Sequence, residues 1–369
     1  MKILVTGAKG FIGKNLIEHL KNHGYHDIYE YDIDTNPSLL KGFCNDAEFV
    51  YHLAGINRPT DQREFMEGNF EFTSLLLGTL SSLNNKCPVM LSSSIQAELN
   101  NPYGESKKAG EELLFDYGRK TGAKVLVYRF PNVFGKWSRP NYNSAIATFC
   151  YNIARGLPIT VNDPKTVVNL VYIDDVIEEL IRALSGNENK QGDYCAVSPV
   201  YNKNLGEITD LINGFKQSRN NLYIPDMGDA FTLKLYSTYL TYLPEQDFSY
   251  TLKMHENDRG SFTEFLKSSN RGQVSVNIIK PGTVKGNHWH HTKNEKFLVV
   301  CGIGVIRFRR IDGSEVIEYH VRGEKMEVVD IPPGYTHNIE NLGNEDMVVL
   351  VWANEIYNPE KQDTYQMEV

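Results

Sequence analysis

Apolar and polar positions follow two regimes along the chain. Up to residue 130, short apolar runs alternate with stretches of helical spacing. Lys2 to Thr6 reads as a strand, Phe11 to Leu20 as a helix, and Asp27 to Asp32 and Phe49 to Leu53 as further strands. Leu75 to Leu83 has helical spacing, Val89 to Ser92 is a strand, Glu105 to Lys120 a helix and Lys124 to Phe130 a strand. This alternation predicts parallel strands joined by crossover helices, an α/β doubly wound parallel sheet of Rossmann type. From Pro131 to Pro244 the pattern loosens, with helical spacing at Ala145 to Arg155, Ile173 to Leu184 and Leu205 to Phe215. That stretch reads as a lobe completing a site. Beyond Thr263 come short β runs: Val274 to Ile279, Lys296 to Val300, Gly304 to Arg309, Val316 to Tyr319, Val328 to Ile331 and Met347 to Trp352. Short strands at close spacing predict an all-β sandwich or small barrel. The expected division is a first domain over 1–245 and a second over 250–369.

Charge narrows the classes by exclusion. Against 38 Lys and Arg stand 46 Asp and Glu, a net charge of -8. With no basic cluster, nucleic acid and anionic lipid are poor partners. No apolar run is long enough to span a bilayer, so no membrane insertion is expected. The opening Ile3-Leu4-Val5 run is too short for a secretion signal. The five cysteines are scattered and form no CxxC, which suits a reducing cytoplasm.

Candidate chemistry begins directly after the first strand, at Gly7-Ala8-Lys9-Gly10-Phe11-Ile12-Gly13. Glycines in that order permit a tight turn, and the helix that follows offers free N–H groups to a pyrophosphate. Asp32, at the end of the second strand, is placed to bind the ribose hydroxyls of NAD. Lys9 lies inside the loop and could meet an additional phosphate, so these residues leave NAD and NADP open. Tyr103 and Lys107 are four residues apart, a spacing that puts both on one helical face. A nearby ammonium lowers a phenol's pKa, which predicts a Tyr103 that exchanges a proton near neutral pH. Ser92-Ser93-Ser94 ends the preceding strand and offers a hydroxyl to the same substrate oxygen.

A second constellation lies in the β region, where six of the ten histidines fall. Gly282 is followed by His288-Trp289-His290, Glu295 and Gly302, and later by Pro332 to Asn341 with His337. Residues i and i+2 of a strand share a face, so His288 and His290 can point inward together. Glu295 and His337 can converge on them. Three imidazoles and a carboxylate suit a divalent metal, Zn, Mn, Fe or Ni. His291 leaves open which member of the His290-His291 pair is the ligand.

These motifs carry a resemblance. Gly7 to Gly13, His52 to Gly55, Ser92 to Ser94, Tyr103 to Lys107, Arg129 to Gly135 and Val171 to Val176 resemble, in order, the extended short-chain dehydrogenase/reductase family acting on nucleotide sugars. The resemblance implies that Leu53 and Ala54 line the cofactor. It implies that Ser94 (or Ser93) joins Tyr103 and Lys107 in catalysis, and that Asn132 faces the nucleotide sugar. Dehydrating members usually carry acidic residues after the catalytic hydroxyl. Here Ile95-Gln96-Ala97 follows Ser94, which implies reduction or epimerisation. The segments at 282–302 and 332–341 resemble the two cupin motifs, with Met326 where the second motif's leading glycine would stand. Asp258-Arg259-Gly260 and Lys285-Gly286-Asn287-His288 resemble parts of cupin nucleotide-sugar 3,5-epimerases, which leaves His288 as base, ligand or both. Tyr335 is a possible acid/base partner or a lining aromatic.

Together the two halves resemble the CapF-type bifunctional enzymes of capsular polysaccharide synthesis. That resemblance implies NADPH and one divalent metal, Zn foremost. It also implies C3 epimerisation of a UDP-4-keto-6-deoxy-N-acetylhexosamine in the cupin domain. Reduction at C4 to a UDP-N-acetyl-6-deoxytalosamine, an N-acetylfucosamine precursor, follows. Alternatives are a single-step ketoreductase with a structural cupin, and a 4-epimerase that retains NAD. A homodimer is the expected assembly.

Overall fold

A computed structural model describes residues 1–59, 61–360 and 363–369. It divides into two compact units, Met1–Asn213 with Asp229–Pro244, and Gly214–Gly228 with Glu245–Val369. Residues 214–228 group with the β unit. There Ile224 N–H donates to the Lys267 carbonyl at 2.8 Å and Lys267 N–H to the Leu222 carbonyl at 2.7 Å.

The first unit is built on strands β1 (Ile3–Thr6), β2 (Ile28–Tyr31), β3 (Phe49–His52), β4 (Val89–Ser94) and β5 (Val125–Phe130), followed by β6 (Asn132–Phe134), β7 (Val167–Tyr172), β8 (Lys190–Gln191), β9 (Tyr194–Cys195) and β10 (Tyr201–Asn204). The main sheet runs β2-β1-β3-β4-β5-β9-β8. Its pairs are parallel from β2 to β9, with β8 antiparallel at the edge. A small second sheet has the order β10-β7-β6.

The helices are α1 (Phe11–Asn22), α2 (Leu39–Asp46), α3 (Arg63–Met66), α4 (Phe72–Ser82), α5 (Pro102–Thr121), α6 (Ala145–Ala154), α7 (Ile173–Leu184), α8 (Leu205–Asn221) and α9 (Ala230–Leu240). Both faces of the main sheet are covered, so its central strands β1 and β3 are buried along their whole length. Ile3, Val5, Phe49 and Tyr51 face a core completed by Leu16 and Leu20 of α1 and Ile177 and Leu180 of α7. Leu4, Val50, Val89 and Leu91 point the other way, onto Leu76 and Leu80 of α4 and Leu114 of α5. Each such buried aliphatic side chain contributes about 1.5–3 kcal/mol.

The β unit holds β11 (Met254–Asn257), β12 (Gly260–Ser268), β13 (Gly272–Ile279), β14 (Val284–Trp289), β15 (Glu295–Cys301), β16 (Ile303–Arg310), β17 (Val316–Arg322), β18 (Val328–Ile331), β19 (Tyr335–Asn341), β20 (Met347–Ala353) and β21 (Tyr365–Gln366). They form two sheets, β11-β12-β13-β20-β15-β18 and β17-β16-β19-β14-β21. Phe297, Val299, Val349 and Val351 of the first and Ile306, Phe308 and Ile339 of the second share one core. This is the all-β, cupin-type domain expected. Alternation along β15 buries Glu295 in the same row as Phe297 and Val299. Likewise His337 lies in the row of Ile339 on β19.

Candidate active site and metal centre

The first site forms at the carboxyl ends of β1, β4 and β5, where ligands of doubly wound sheets bind. Gly7 has φ +70, and a Cβ there would lie 2.7 Å from the Ala54 nitrogen. Only glycine permits that turn so close to the β3 end. Gly10 caps α1, and its N–H bonds back to the Gly7 carbonyl at 3.0 Å. The resulting cleft has a volume of about 760 Å3. Gly7, Lys9, Gly10, Phe11, Ile12, Gly13 and Leu53 line one part of it, and Ser94, Tyr103, Lys107 and Asn132 another. Ala54 supports the loop from behind, its N–H donating to Thr6 Oγ1 at 3.3 Å. His52 is buried between Thr6 and Thr73, at 2.7 and 2.8 Å. Burial, then the Lys107 charge, pull its pKa down to about 3, so it is a neutral structural tie.

Asp32 does not line the cleft among the described residues. Its carboxylate accepts N–H bonds from Lys9 at 2.7 Å and from Ile33 at 2.8 Å, and so braces the glycine loop. The Lys9 ammonium pairs with Asp34.

Asn101 caps α5 by accepting from Gly104 N–H at 2.8 Å, with Pro102 at the first helical position. A Cβ on Gly104 would fall 2.3 Å from the Gln96 carbonyl. Glycine therefore lets the helix carrying Tyr103 seat against the turn carrying Ser94. The three serines differ. Ser93 donates to Glu111, a buried carboxylate that also receives Arg129 Nε at 2.9 Å and Nη2 at 2.6 Å. Ser94 accepts from Gln96 N–H at 3.2 Å and lies close enough to the Tyr103 phenol to favour its ionised form. Ser94 is thus the hydroxyl beside the tyrosine.

One sequence expectation is corrected. Burial pushes the Tyr103 phenol up, and the Ser94 hydroxyl only partly opposes this. The Lys107 ammonium stands 6.0 Å from the ring centroid and donates to the Ser92 carbonyl at 3.1 Å. Burial pulls Lys107 down to about 8, with Glu111 acting against it.

Asn69, on a π-helical turn at Glu67–Glu71, had no signal in the sequence. Its amide accepts from Ile56 N–H at 3.0 Å and donates to the Ile56 carbonyl at 2.9 Å and Ser106 Oγ at 3.0 Å. It holds the backbone at Gly55, where a Cβ would meet Asn69 Oδ1 at 2.6 Å and Lys107 Nζ at 3.0 Å.

The second site lies in a cavity of about 500 Å3 in the β unit. One ligand atom from each of His288, His290, Glu295 and His337 falls within 4.8 Å of the others. His290 sits one residue past β14. His291 is exposed and packs on Trp289 and Tyr365, with centroids at 4.4 and 4.9 Å, apart from the cluster. Asn287 is an extra residue in β14, where pairing jumps from Gly286–Asn338 to His288–His337. The bulge puts Lys285 and His288 on one cavity wall. Tyr335 packs against the β core.

The donor set suits a divalent cation. His290 Nε2 and both ring nitrogens of His337 are buried without a hydrogen-bond partner. Such atoms are costly unless an ion satisfies them. Burial, then the neighbouring His337 and His290, hold His288 down at about 4, neutral and ready to ligate. Burial pushes Glu295 up, but His290, His337 and Lys293 outweigh it and keep the carboxyl well below its usual range. Lys285 Nζ donates to the Ser261 and Ile278 carbonyls at 3.1 Å each. Burial, then Arg259, lower its pKa.

Residues 3–198 match the NAD dependent epimerase/dehydratase family, and residues 255–365 the polysaccharide biosynthesis C-terminal domain. The capsular polysaccharide assembling protein CapF from Staphylococcus aureus is 53% identical, covers 100% of both chains and superposes with a TM-score of 0.95. The chain belongs to the CapF family. A CapF structure with the inhibitor 3-isopropenyl-tropolone is 49% identical over 100% of both chains, with a TM-score of 0.91. A UDP-2-acetamido-2,6-beta-L-arabino-hexul-4-ose reductase of Pseudomonas aeruginosa is 44% identical over 100% of this chain and 99% of its own. Among the described residues, no helix of this CapF homologue is long and apolar enough to cross a membrane.

Proposed function

We propose that the chain is a bifunctional UDP-sugar enzyme of capsular polysaccharide synthesis. The β domain epimerises C3 of a UDP-4-keto-6-deoxy-N-acetylhexosamine. The dinucleotide-binding unit then reduces the C4 ketone with NADPH, giving a UDP-N-acetyl-6-deoxytalosamine. The observation that carries the reading is the pairing of two complete sites in one chain of the CapF family. One is a Ser94, Tyr103 and Lys107 cleft, the other a buried cluster of three histidines and a carboxylate.

The chemistry fixes the order. A C4 ketone acidifies the C3 proton, so epimerisation precedes loss of the ketone. NADPH supplies a hydride when bound. A phenol raised by burial stays protonated at neutral pH, so Tyr103 is loaded to give its proton to the ketone oxygen. Ser94 holds the same oxygen, and Lys107 presents its charge at the cleft floor. In the β cavity His288, His290, Glu295 and His337 would hold a divalent metal, Zn foremost, which would supply Lewis-acid polarisation of the ketone. Lys285, held by two carbonyls in the same wall and with its pKa lowered by burial, would take the C3 proton in its neutral form, and a solvent-derived proton returned to the opposite face of C3 would complete the inversion. An inhibitor of the tropolone class, a chelating oxygen pair, suits a site of this kind. The name of the Pseudomonas relative, a hexul-4-ose reductase, supports the ketone position.

Proton NMR of the 4-keto sugar in D2O, with metal-loaded enzyme and no nicotinamide, tests the reading. Deuterium should enter at C3, and NADPH added afterwards should be consumed. No exchange would leave a single-step reductase with a structural metal.

A further inference from the structure

Residues 363–368 run along the sheet edge beside β14, the strand that carries His288. Strand β21 pairs with β14 through His288–Gln366 and Trp289–Tyr365. Met367 N–H donates to the Asn287 carbonyl at 2.9 Å, and the Thr336 hydroxyl donates to the Met367 carbonyl. The segment is therefore fastened both to β14 and to its neighbour β19.

At its head, Asp363 makes two kinds of contact. Its carboxylate accepts N–H bonds from His291 at 2.9 Å, Thr292 at 2.7 Å and Lys293 at 2.8 Å, and the Thr292 hydroxyl at 3.0 Å. Its backbone carbonyl receives His290 Nδ1. A carbonyl can only accept, so the His290 proton is on Nδ1 and Nε2 is bare. That Nε2 is the buried atom without a hydrogen-bond partner, 3.6 Å from Glu295 Oε2. Metal-binding imidazoles are commonly oriented through their second nitrogen in this way.

We infer that Asp363 is a positioning residue for the metal centre: its carboxylate clamps the 291–293 turn, which fixes its carbonyl on His290 Nδ1 and leaves Nε2 free to ligate. The inference rests on reading the four clustered residues as metal ligands. It gives the residue a role that neither histidine motif contains, 68 positions after Glu295 in sequence.

The test uses the full chain with Asp363→Ala and Asp363→Asn. Zn2+ affinity is measured by competition with a chromophoric chelator, and the visible spectrum of the Co2+-loaded protein reports the ligand set. Asp363→Ala keeps the backbone carbonyl but frees the turn that fixes it, so Zn2+ binding should weaken by about 10-fold, the lower end for loss of an outer-shell partner, and the Co2+ bands should shift. Asp363→Asn keeps one accepting oxygen and should fall between. If circular dichroism shows Asp363→Ala misfolded, Asp363→Asn carries the test alone. Zn2+ affinity within twofold of the wild type, with an unchanged Co2+ spectrum, overturns the role of Asp363. A wild-type chain that takes up no Zn2+ overturns the metal reading, and this inference with it.

Discussion

Lys107 donates to the Ser92 carbonyl at 3.1 Å rather than bonding the Tyr103 phenol. With burial drawing its pKa to about 8, its charge is present below that pH and lost above it. Tyr103, raised by burial, keeps its proton through the same range. Reduction of the 4-keto sugar should therefore hold steady toward neutral pH and decline on the alkaline side with an apparent pKa near 8. A pH profile of kcat/KM measures this. A profile flat from pH 7 to about 10 would falsify the role assigned to the Lys107 charge.

The serines make a paired prediction. Ser94→Ala removes the hydroxyl beside the phenol and should lower ketone reduction by about 10- to 1000-fold, the range for a positioned hydrogen bond in a closed site. Ser93→Ala takes a donor from buried Glu111 and should cost about 1–3 kcal/mol of stability, leaving catalysis largely intact. Steady-state kinetics and denaturant unfolding of both variants distinguish the roles. The reverse pattern would make Ser93 the catalytic hydroxyl.

Removing the metal should act on one activity only. Glu295→Gln or His337→Ala should abolish stoichiometric metal by elemental analysis and stop C3 exchange, while NADPH binding stays at the wild-type level. Lys285→Met should also stop exchange but retain the metal. Binding that saturates the site at 100 times its Kd adds about 2.7 kcal/mol to stability, so chelation should lower the β domain's melting temperature. An unchanged melting curve after metal removal is the adverse result.

Cofactor choice is expected to run through Lys9. Its ammonium pairs with Asp34 beside the loop that Asp32 braces. Lys9→Ala should raise KM for NADPH about tenfold or more, the size of one charge-assisted bond, and leave KM for NADH nearly unchanged. Equal losses for both cofactors would remove Lys9 from the choice.

Much of this was legible in the sequence because period carries it. Short apolar runs alternating with helical spacing marked β1, β3, β4 and β5, and the YxxxK spacing marked one face of α5. The four clustered donors could be named from two motifs. What the sequence withheld depends on distant neighbours. Burial that raises the Tyr103 phenol comes from packing, not from the lysine four residues on. The bracing of the glycine loop by Asp32, whose oxygens receive the Lys9 and Ile33 N–H groups, has no counterpart in the sequence pattern. His290 is separated from His291 only by the core on one side and the stack with Trp289 and Tyr365 on the other. Helix α2 is only eight residues long, and α9 carries no strong periodic signal. Asn69 and Asp363 act through contacts far along the chain.

The π turn at Glu67–Glu71 has a consequence for how one continuous helical stretch serves two masters. A residue advances an α-helix by about 100°, so the wider turn resets the angular phase between α3 and α4. Downstream of it, Thr73, Leu76, Leu77 and Leu80 face the core. Within it, Asn69 reaches Ile56 and Ser106. Deleting one residue here would rotate Asn69 off its partners or turn the leucine stripe toward solvent. The amide's aim is therefore written in the residue count of the turn as well as in its side chains.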